Sequence, residues 1–503
     1  MKKIVLLPLD ERPCNYLYPL QMFNNDDINL VLPSMEIMGD KKTPANHEAL
    51  EEFLLKETKD AFGLVISIDT LLYGGIVPSR LHYHSEEELK KRMSIITTLK
   101  ENNPNLLIYA FDLIMRCPQY SSDDEEPTYY KESGLEIFKS GYLSHKKELN
   151  AASPEEIKAL KRLKVNKTHL NDYLTRRELN CKLNIETLNL VENKTIDFLI
   201  IPQDDASEYG WTAIDQIKIR KVIDEKCLQL DVYMYPGADE VANTLISKMI
   251  LKIKNQTPLF YIKYPSPNSP LTVPALEDRY LDTTVRYQIL AAGGLITTSV
   301  KEADVVLFVN TNAIHMCSSA DLNAPRNRGM SVLRNMPEFV EFMDYCVNTL
   351  NKDVIVGDVA TLNGGDYELI KMMQKRNLLL KVAAYAGWNT SSNTLGTCIP
   401  HGIMTHIYGR NQVHYNFLVS RYIEDFSYMS IVRAKVNSTL QARGMNYFAI
   451  DGQRGQVCKE VVEELKLTTK EYLPTISDHY EIEDCYMPWR RMFEVGLIIK
   501  YKE

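Results

Sequence analysis

The chain has 503 residues, 45% hydrophobic and 25% charged, with a net charge of −8 at pH 7. That length holds a large core and more than one domain on the usual scale of roughly 100–200 residues each, and the composition is that of an ordinary soluble globular protein. Basic residues scattered under a net negative charge leave no nucleic-acid footprint, and no run approaches the ~20 apolar residues of a membrane helix.

The N-terminus, MKKIVLLPLDERP, starts like a signal peptide, but Pro8, Asp10, Glu11 and Arg12 interrupt it before an h-region of about 7–15 residues is complete. Lys3–Leu9 predicts a first buried strand, Asn29–Leu32 a short second and Gly63–Ile68 a third, ending at Asp69 before LLYGGIVPSR. Leu106–Phe111 predicts a fourth, ending at Asp112 and Arg116, with helical spacing at 48–60 and 85–101 between the strands. From about 120 to 195 the character changes: SSDDEEP (121–127) reads as a solvated loop and 129–190 as Lys- and Glu-rich helices, a long insertion between strands. The next apolar run, Phe198–Ile201, leads into PQDDASEYGW, and a helix follows at about 212–226.

Beyond it come strand Val232–Tyr235, ending in PGADE, helix 239–255, strand Leu259–Tyr264 and the Pro-rich loop YPSPNSPLTVP (264–274). A helix at about 275–292, strands at 295–298 and Asp304–Asn310, and the loop NAPRNRG (323–329) lead to helix 336–350. Strand Val354–Val356 ends at Asp358, helix 366–376 follows, and strand Leu379–Tyr385 runs into AGWNTSSNTLG. After 403 the pattern is helical to about 470, and 484–501 fits helix or strand equally.

Alternating strands and helices place the chain in the α/β class. About eight strands with polar clusters at their C-terminal ends predict a (β/α)8-type barrel over 1–402 with the helical insertion at about 120–195, followed by a mainly helical C-terminal region, 403–503. Two doubly wound α/β domains, divided at 264–274, are the alternative.

The carboxylates carry the chemical signal. Asp10, Asp69, Asp112, Asp204, Asp205, Asp239, Glu240 and Asp358 all lie just past predicted strands, where side chains converge on a mouth held by a rigid sheet. Each alone suits a turn or a helix cap. Collected on one rim they repel, and the repulsion is relieved by cations, by ligands or by protonation. Adjacent Asp204 and Asp205 are the candidate acid/base pair. Tyr385, Trp388 and Asn389 offer flat apolar faces beside an amide, a mixture that suits a sugar ring, and the same residues suit a core Trp with Asn caps. Arg12, Arg80 and Arg116 would pair with rim acids or grip an anionic substrate.

Other chemistries lack their signatures. No GxGxxG follows a strand, and GxxxxGK[ST] and GxSxG are absent, so nucleotide loops and serine elbows are unsupported. His82/His84 and His401/His406 do not have the spacing of HExxH, so no cofactor is expected, with Mg²⁺ or Mn²⁺ on Asp10, Asp69 and Asp204 as the alternative. Nine cysteines, odd in number and without a CxxC pair, predict reduced thiols and a cytoplasmic location.

PLDERPCN (8–15), SIDTLLYGGIVPSR (67–80), IPQDDASEYG (201–210), YPGADEVANTL (235–245) and AYAGWNTSSNTLG (384–396) resemble, in order, the motifs of the bacterial domain-of-unknown-function 4127 family. That resemblance spans essentially the whole chain and implies no activity. An Asp-Asp pair at a strand end near Tyr, Trp and Asn is also similar to glycosidases that use the substrate's own 2-acetamido group as nucleophile. By that analogy Asp204 orients the acetamido N–H and Asp205 protonates the leaving oxygen. The expectation is therefore a hydrolase for a small-molecule carbohydrate containing N-acetylhexosamine, with neither nucleic acid nor membrane as partner. A metal-dependent hydrolase or phosphoryl-transfer enzyme and a non-catalytic sugar-binding protein are the alternatives.

Overall fold

In the computed structural model, which describes residues 1–316 and 327–502, the apolar runs become strands in chain order. β1 (Lys2–Leu7) is followed by α1 (Leu17–Phe23), β2 (Ile28–Val31), α2 (His47–Glu57), β3 (Gly63–Ser67), α3 (Ile68–Tyr73), α4 (Glu86–Met93), α5 (Ile95–Asn102) and β4 (Leu107–Phe111). The insertion is helical, as its composition predicts: α6 (Tyr130–Glu148), α7 (Pro154–Arg162) and α8 (Lys167–Glu192). Ser153 and Glu156 start α7 with a reciprocal capping box. Then come β5 (Phe198–Gln203), α9 (Trp211–Glu225), β6 (Val232–Pro236) and α10 (Val241–Lys254).

The second half runs β7 (Leu259–Lys263), α11 (Leu281–Ala291), β8 (Leu295–Ile296), β9 (Val305–Asn310), α12 (Arg328–Ser331), α13 (Met336–Asn348), β10 (Asp353–Asp358), α14 (Tyr367–Lys375) and β11 (Ala384–Ala386). It ends with α15 (Ser391–Tyr408), α16 (Gln412–Arg421), a π-helical stretch Tyr422–Val432, α17 (Arg433–Leu440), α18 (Gln456–Tyr472), α19 (Pro474–His479), β12 (Tyr480–Tyr486) and β13 (Gly496–Tyr501). The ambiguous 484–501 stretch is thus strand, paired antiparallel with a bulge between Ile482 and Asp484. Residues 323–326 of the predicted loop, and Cys317, lie outside the described residues. Asn327 caps α12 through Met330 N–H. The eight described cysteines are all free thiols.

The strands do not close into the expected barrel. They form a six-stranded sheet in the order β2-β1-β3-β4-β5-β6 and a five-stranded sheet in the order β11-β10-β9-β7-β8. Every described pairing within these two sheets is parallel. Strands β3, β4, β5 and β9 are buried along their whole length, which explains their unbroken apolar runs. Counting β7 as the first strand of its sheet, both sheets begin 2-1-3-4-5, a doubly wound order. Apolar runs with polar ends read alike in a closed barrel and in two open sheets, because periodicity does not encode pairing.

The chain divides into two compact units, Met1–Glu11 with Asn24–Ala242 and Leu276–Asp278, and Arg12–Phe23 with Asn243–Ala275 and Arg279–Glu503. The Pro-rich loop at 264–274 lies inside the second unit, so it is not the boundary that its composition predicts. Among the described residues, no helix is long and apolar enough to cross a membrane.

One glycine of the LLYGG motif is fixed by its backbone. Gly74 ends α3 at φ 89, and a Cβ there would lie 2.6 Å from Pro44 Cβ and 2.7 Å from Ala45 N. Gly74→Ala is therefore expected to cost more than about 1 kcal/mol, read as a lower urea midpoint at unchanged m-value. An unchanged midpoint would show that the turn relaxes freely.

Candidate active site

The C-terminal ends of β3, β4 and β5 are neighbours because these strands pair in register, Gly63 with Leu107 and Tyr109 with Phe198. Pairing continues past β4: Asp112 N–H donates to Ile200 O at 3.1 Å and Ile114 N–H to Pro202 O at 3.0 Å. Asp112 and Arg116 are thereby carried alongside Asp204 and Asp205. The dipeptide itself sits on a turn in which Asp205 takes a left-handed conformation, φ 44. A non-glycine residue held there is one way that sites aim a side chain.

Two arginines organise the carboxylates. Arg80 ends a short 3₁₀ turn whose Ser79 carbonyl accepts from the Asn180 amide of α8 at 2.8 Å. The Arg80 guanidinium lies 2.8 Å from Asp204 Oδ2, 3.1 Å from Glu125 Oε2 and 3.4 Å from Glu126 Oε1. Arg116 pairs with Glu126 at 2.8 Å, Glu125 at 2.9 Å and Asp205 at 3.4 Å, and reaches within 4.0 Å of Asp204. The insertion supports it from behind, for the Arg116 carbonyl accepts from Tyr173 Oη at 2.7 Å and Arg177 Nη1 at 3.3 Å.

Glu125 and Glu126 belong to the acidic stretch that reads as solvated loop, and sequence reasoning misses them. Glu126 is only 1% exposed. The signal available was a pair of arginines in the segments that follow buried strands, Arg80 and Arg116, that needed counter-charges. Lys41, which pairs with Asp124, and Lys42 Nζ, 3.3 Å from the Glu126 carbonyl, hold the stretch in place.

Four carboxylates face two guanidiniums, so full ionisation leaves an excess of negative charge. Burial first, and the neighbouring Asp204 second, push the Asp205 carboxyl up to about 7 against the pull of Arg116 and Arg80. Deeper in, burial pushes Asp69 up to about 7, opposed by the Leu113 N–H that its Oδ2 accepts at 2.9 Å. Asp112 is raised well above the usual carboxylate range by burial and then by Asp69, while Thr187 donates to it at 2.7 Å. The cluster can hold a proton at neutral pH beside a carboxylate paired with arginine, which is the equipment of acid/base catalysis.

Asp10 is buried just past β1, and Asp239 is buried at the end of β6. Glu240 folds back to accept the Ala238 N–H at 2.9 Å. Arg12, in the second unit, lies with its guanidinium 4.6 Å over the Trp489 ring.

At the second sheet, Asp358 ends β10 and accepts from Asn310 Nδ2 at 2.8 Å, Asp366 N–H at 2.7 Å and Tyr385 Oη at 3.2 Å. Burial and then Asp366 push it up to about 7. Arg334 closes the network on Asn310 at 2.8 Å and Asp366 at 2.9 Å. Trp388 is 1% exposed, its indole donating to Thr397 Oγ1 at 3.1 Å, and Tyr385 stacks on Tyr422 with ring centroids 4.4 Å apart. Asn389 is half-buried in a left-handed turn, φ 55, its carbonyl accepting from Asn363 N–H at 3.0 Å. These aromatic rings are packed as core.

A divalent cation needs a converging set of oxygen donors. Among the described residues no three His, Cys, Asp or Glu gather in that way, and Asp204 Oδ2 is taken by Arg80.

A family model described as "Protein of unknown function (DUF4127)" matches residues 4–498. No curated protein matches the chain.

Proposed function

We propose that this chain, which belongs to the DUF4127 family, is a cytoplasmic glycoside hydrolase that uses Asp204 and Asp205 on N-acetylhexosamine-containing glycans. The observation that carries this reading is Asp205, a carboxyl pushed up to about 7 beside a carboxylate already paired with arginine. A group in that range is about half protonated at neutral pH and releases its proton readily.

In this mechanism Asp205 gives its proton to the glycosidic oxygen as the C1–O bond breaks, and the oxygen of the substrate's 2-acetamido group closes on C1. Asp204, held 2.8 Å from Arg80, accepts the acetamido N–H and faces the positive charge that develops on the ring. Water then attacks C1 and opens that ring, returning a proton to Asp205. The cycle consumes one water and splits one glycosidic bond. Arg116, 3.4 Å from Asp205, stabilises the carboxylate formed between the two steps.

The test is a hydrolysis screen over aryl β-glycosides of N-acetylglucosamine and N-acetylgalactosamine, with and without EDTA. Release that is insensitive to EDTA and strongly reduced in Asp204→Asn is expected. No release from either substrate, or release abolished by EDTA, would overturn the assignment.

A further inference from the structure

The C-terminal region places two of the free thiols against each other. Cys458 is the third residue of α18, and Cys485 is next to last in β12, which packs on that helix. Their thiols share a hydrogen bond, and Cys458 Sγ also lies 3.4 Å from the Cys485 carbonyl. Arg454 Nη1 donates to the same carbonyl at 3.2 Å, and Arg454 Nη2 donates to Asp484 Oδ2 at 2.7 Å. Other buried thiols face different chemistry: Cys117 Sγ is 3.7 Å from Tyr130 Oη, and Cys14 Sγ is 3.9 Å from Glu494 Oε2.

The pair is not symmetrical. Cys458 sits in the first turn of a 17-residue helix, where unpaired N–H groups and the helix dipole favour a thiolate. The hydrogen bond with Cys485 draws the Cys458 thiol below its ordinary range; burial opposes that pull and Arg454 adds to it. The same hydrogen bond, and then burial, raise Cys485, so the shared proton stays on Cys485. The two residues keep only 4% and 7% of their surface exposed, so an oxidant that reaches them is small.

The geometry points to a peroxide-reactive dithiol, in which Cys458 attacks hydrogen peroxide and Cys485 resolves the product to a disulfide between α18 and β12. In the first step the Cys458 sulfur bonds to one peroxide oxygen and the O–O bond breaks. The departing hydroxide takes up the Cys458 proton and leaves as water. The Cys485 sulfur then attacks the sulfenic sulfur, the S–O bond breaks, and hydroxide leaves as water with the Cys485 proton. Two thiols lose two electrons, and one peroxide is reduced to two waters. Sulfurs already in contact need little movement to reach the ~2.05 Å of a disulfide. In a reducing compartment such a bond is transient, the behaviour of a redox sensor. The site is independent of the glycosidase reading, since its residues take no part in the acid/base step.

The full chain, treated with a modest excess of hydrogen peroxide, then alkylated and digested for mass spectrometry, tests this. A Cys458–Cys485 peptide pair two hydrogens lighter than its separate parts is expected, and dithiothreitol should abolish it. In Cys485→Ser the sulfenic acid has no resolving partner, so dimedone should trap it on Cys458. In Cys458→Ser, Cys485 should stay untrapped. Circular dichroism of each variant separates lost reactivity from lost fold, and the peptide map of the unsubstituted chain needs neither variant. Absence of the Cys458–Cys485 bond in the folded chain, a bond that forms only in urea, or dimedone on Cys485 in Cys458→Ser would each overturn the proposal.

Discussion

Asp205→Asn is expected to lower kcat by about 10²–10⁴-fold, the range for loss of a positioned acid, while thermal stability is kept. Asparagine matches the neutral acid in shape and charge, so the substitution removes the proton without imposing a new buried charge. The pH dependence follows from the same carboxyl. Only the protonated form donates, so the wild-type rate should fall as pH rises through about 7, where burial and Asp204 hold the group. Asp204→Asn removes the neighbouring negative charge, which is the second cause of the shift, and any residual activity should lose its basic limb at lower pH. Stopped-rate assays of both variants between pH 5 and 9 check this. Wild-type-like turnover in Asp205→Asn would remove the residue from the mechanism, and an unmoved limb in Asp204→Asn would remove its charge from the account.

Arg421→Met is expected to destabilise the chain by about 3–5 kcal/mol, the cost of stranding buried charge, and that is a large part of a typical ~5–15 kcal/mol of stability. The guanidinium is buried, 2.8 Å from Asp425 Oδ1, paired also with Glu424, and 3.9 Å over the Tyr18 ring. Both acids have further ties: Gly387 N–H donates to Asp425 at 2.8 Å and Tyr18 Oη to Glu424 at 2.8 Å. Losing the arginine leaves this buried pair of acids without its counter-charge. Arg454→Met serves as the control, since Arg454 is 59% exposed and its pair with Asp484 should be worth no more than about 1 kcal/mol. Urea denaturation of the two variants decides the matter: equal midpoints would show that the buried cluster relaxes or repairs itself.

How far the sequence reveals this molecule depends on which interactions are local. The strands are legible because a strand buried on both faces must be apolar throughout, and Phe198–Ile201 or Leu107–Phe111 admit little else. The insertion is legible from its helical spacing and its capping residues. Which strand pairs with which is not local, so β6 and β7, consecutive in the chain, fall in different sheets. The same limit applies to the site. Asp204, Asp205, Arg80 and Arg116 are found from strand ends, yet their counter-charges come from SSDDEEP, whose composition says solvent. That stretch is drawn in by two arginines distant in sequence. Tyr385 and Trp388 mislead for the opposite reason, since an aromatic residue after a strand suits a binding face and a packed core alike.

The division of the chain has a consequence for biosynthesis. Helix α1 belongs to the second unit, and its Tyr18, Met22 and Phe23 are buried there, with α16 among its packing partners. Residue 412, where α16 begins, leaves the ribosome 389 residues after residue 23. At about 5–20 residues per second that interval is roughly 20–80 s. For most of it the nascent chain carries an apolar helix whose partners in α15 and α16 have not been made, and its exposed face is expected to be a target for holdase chaperones.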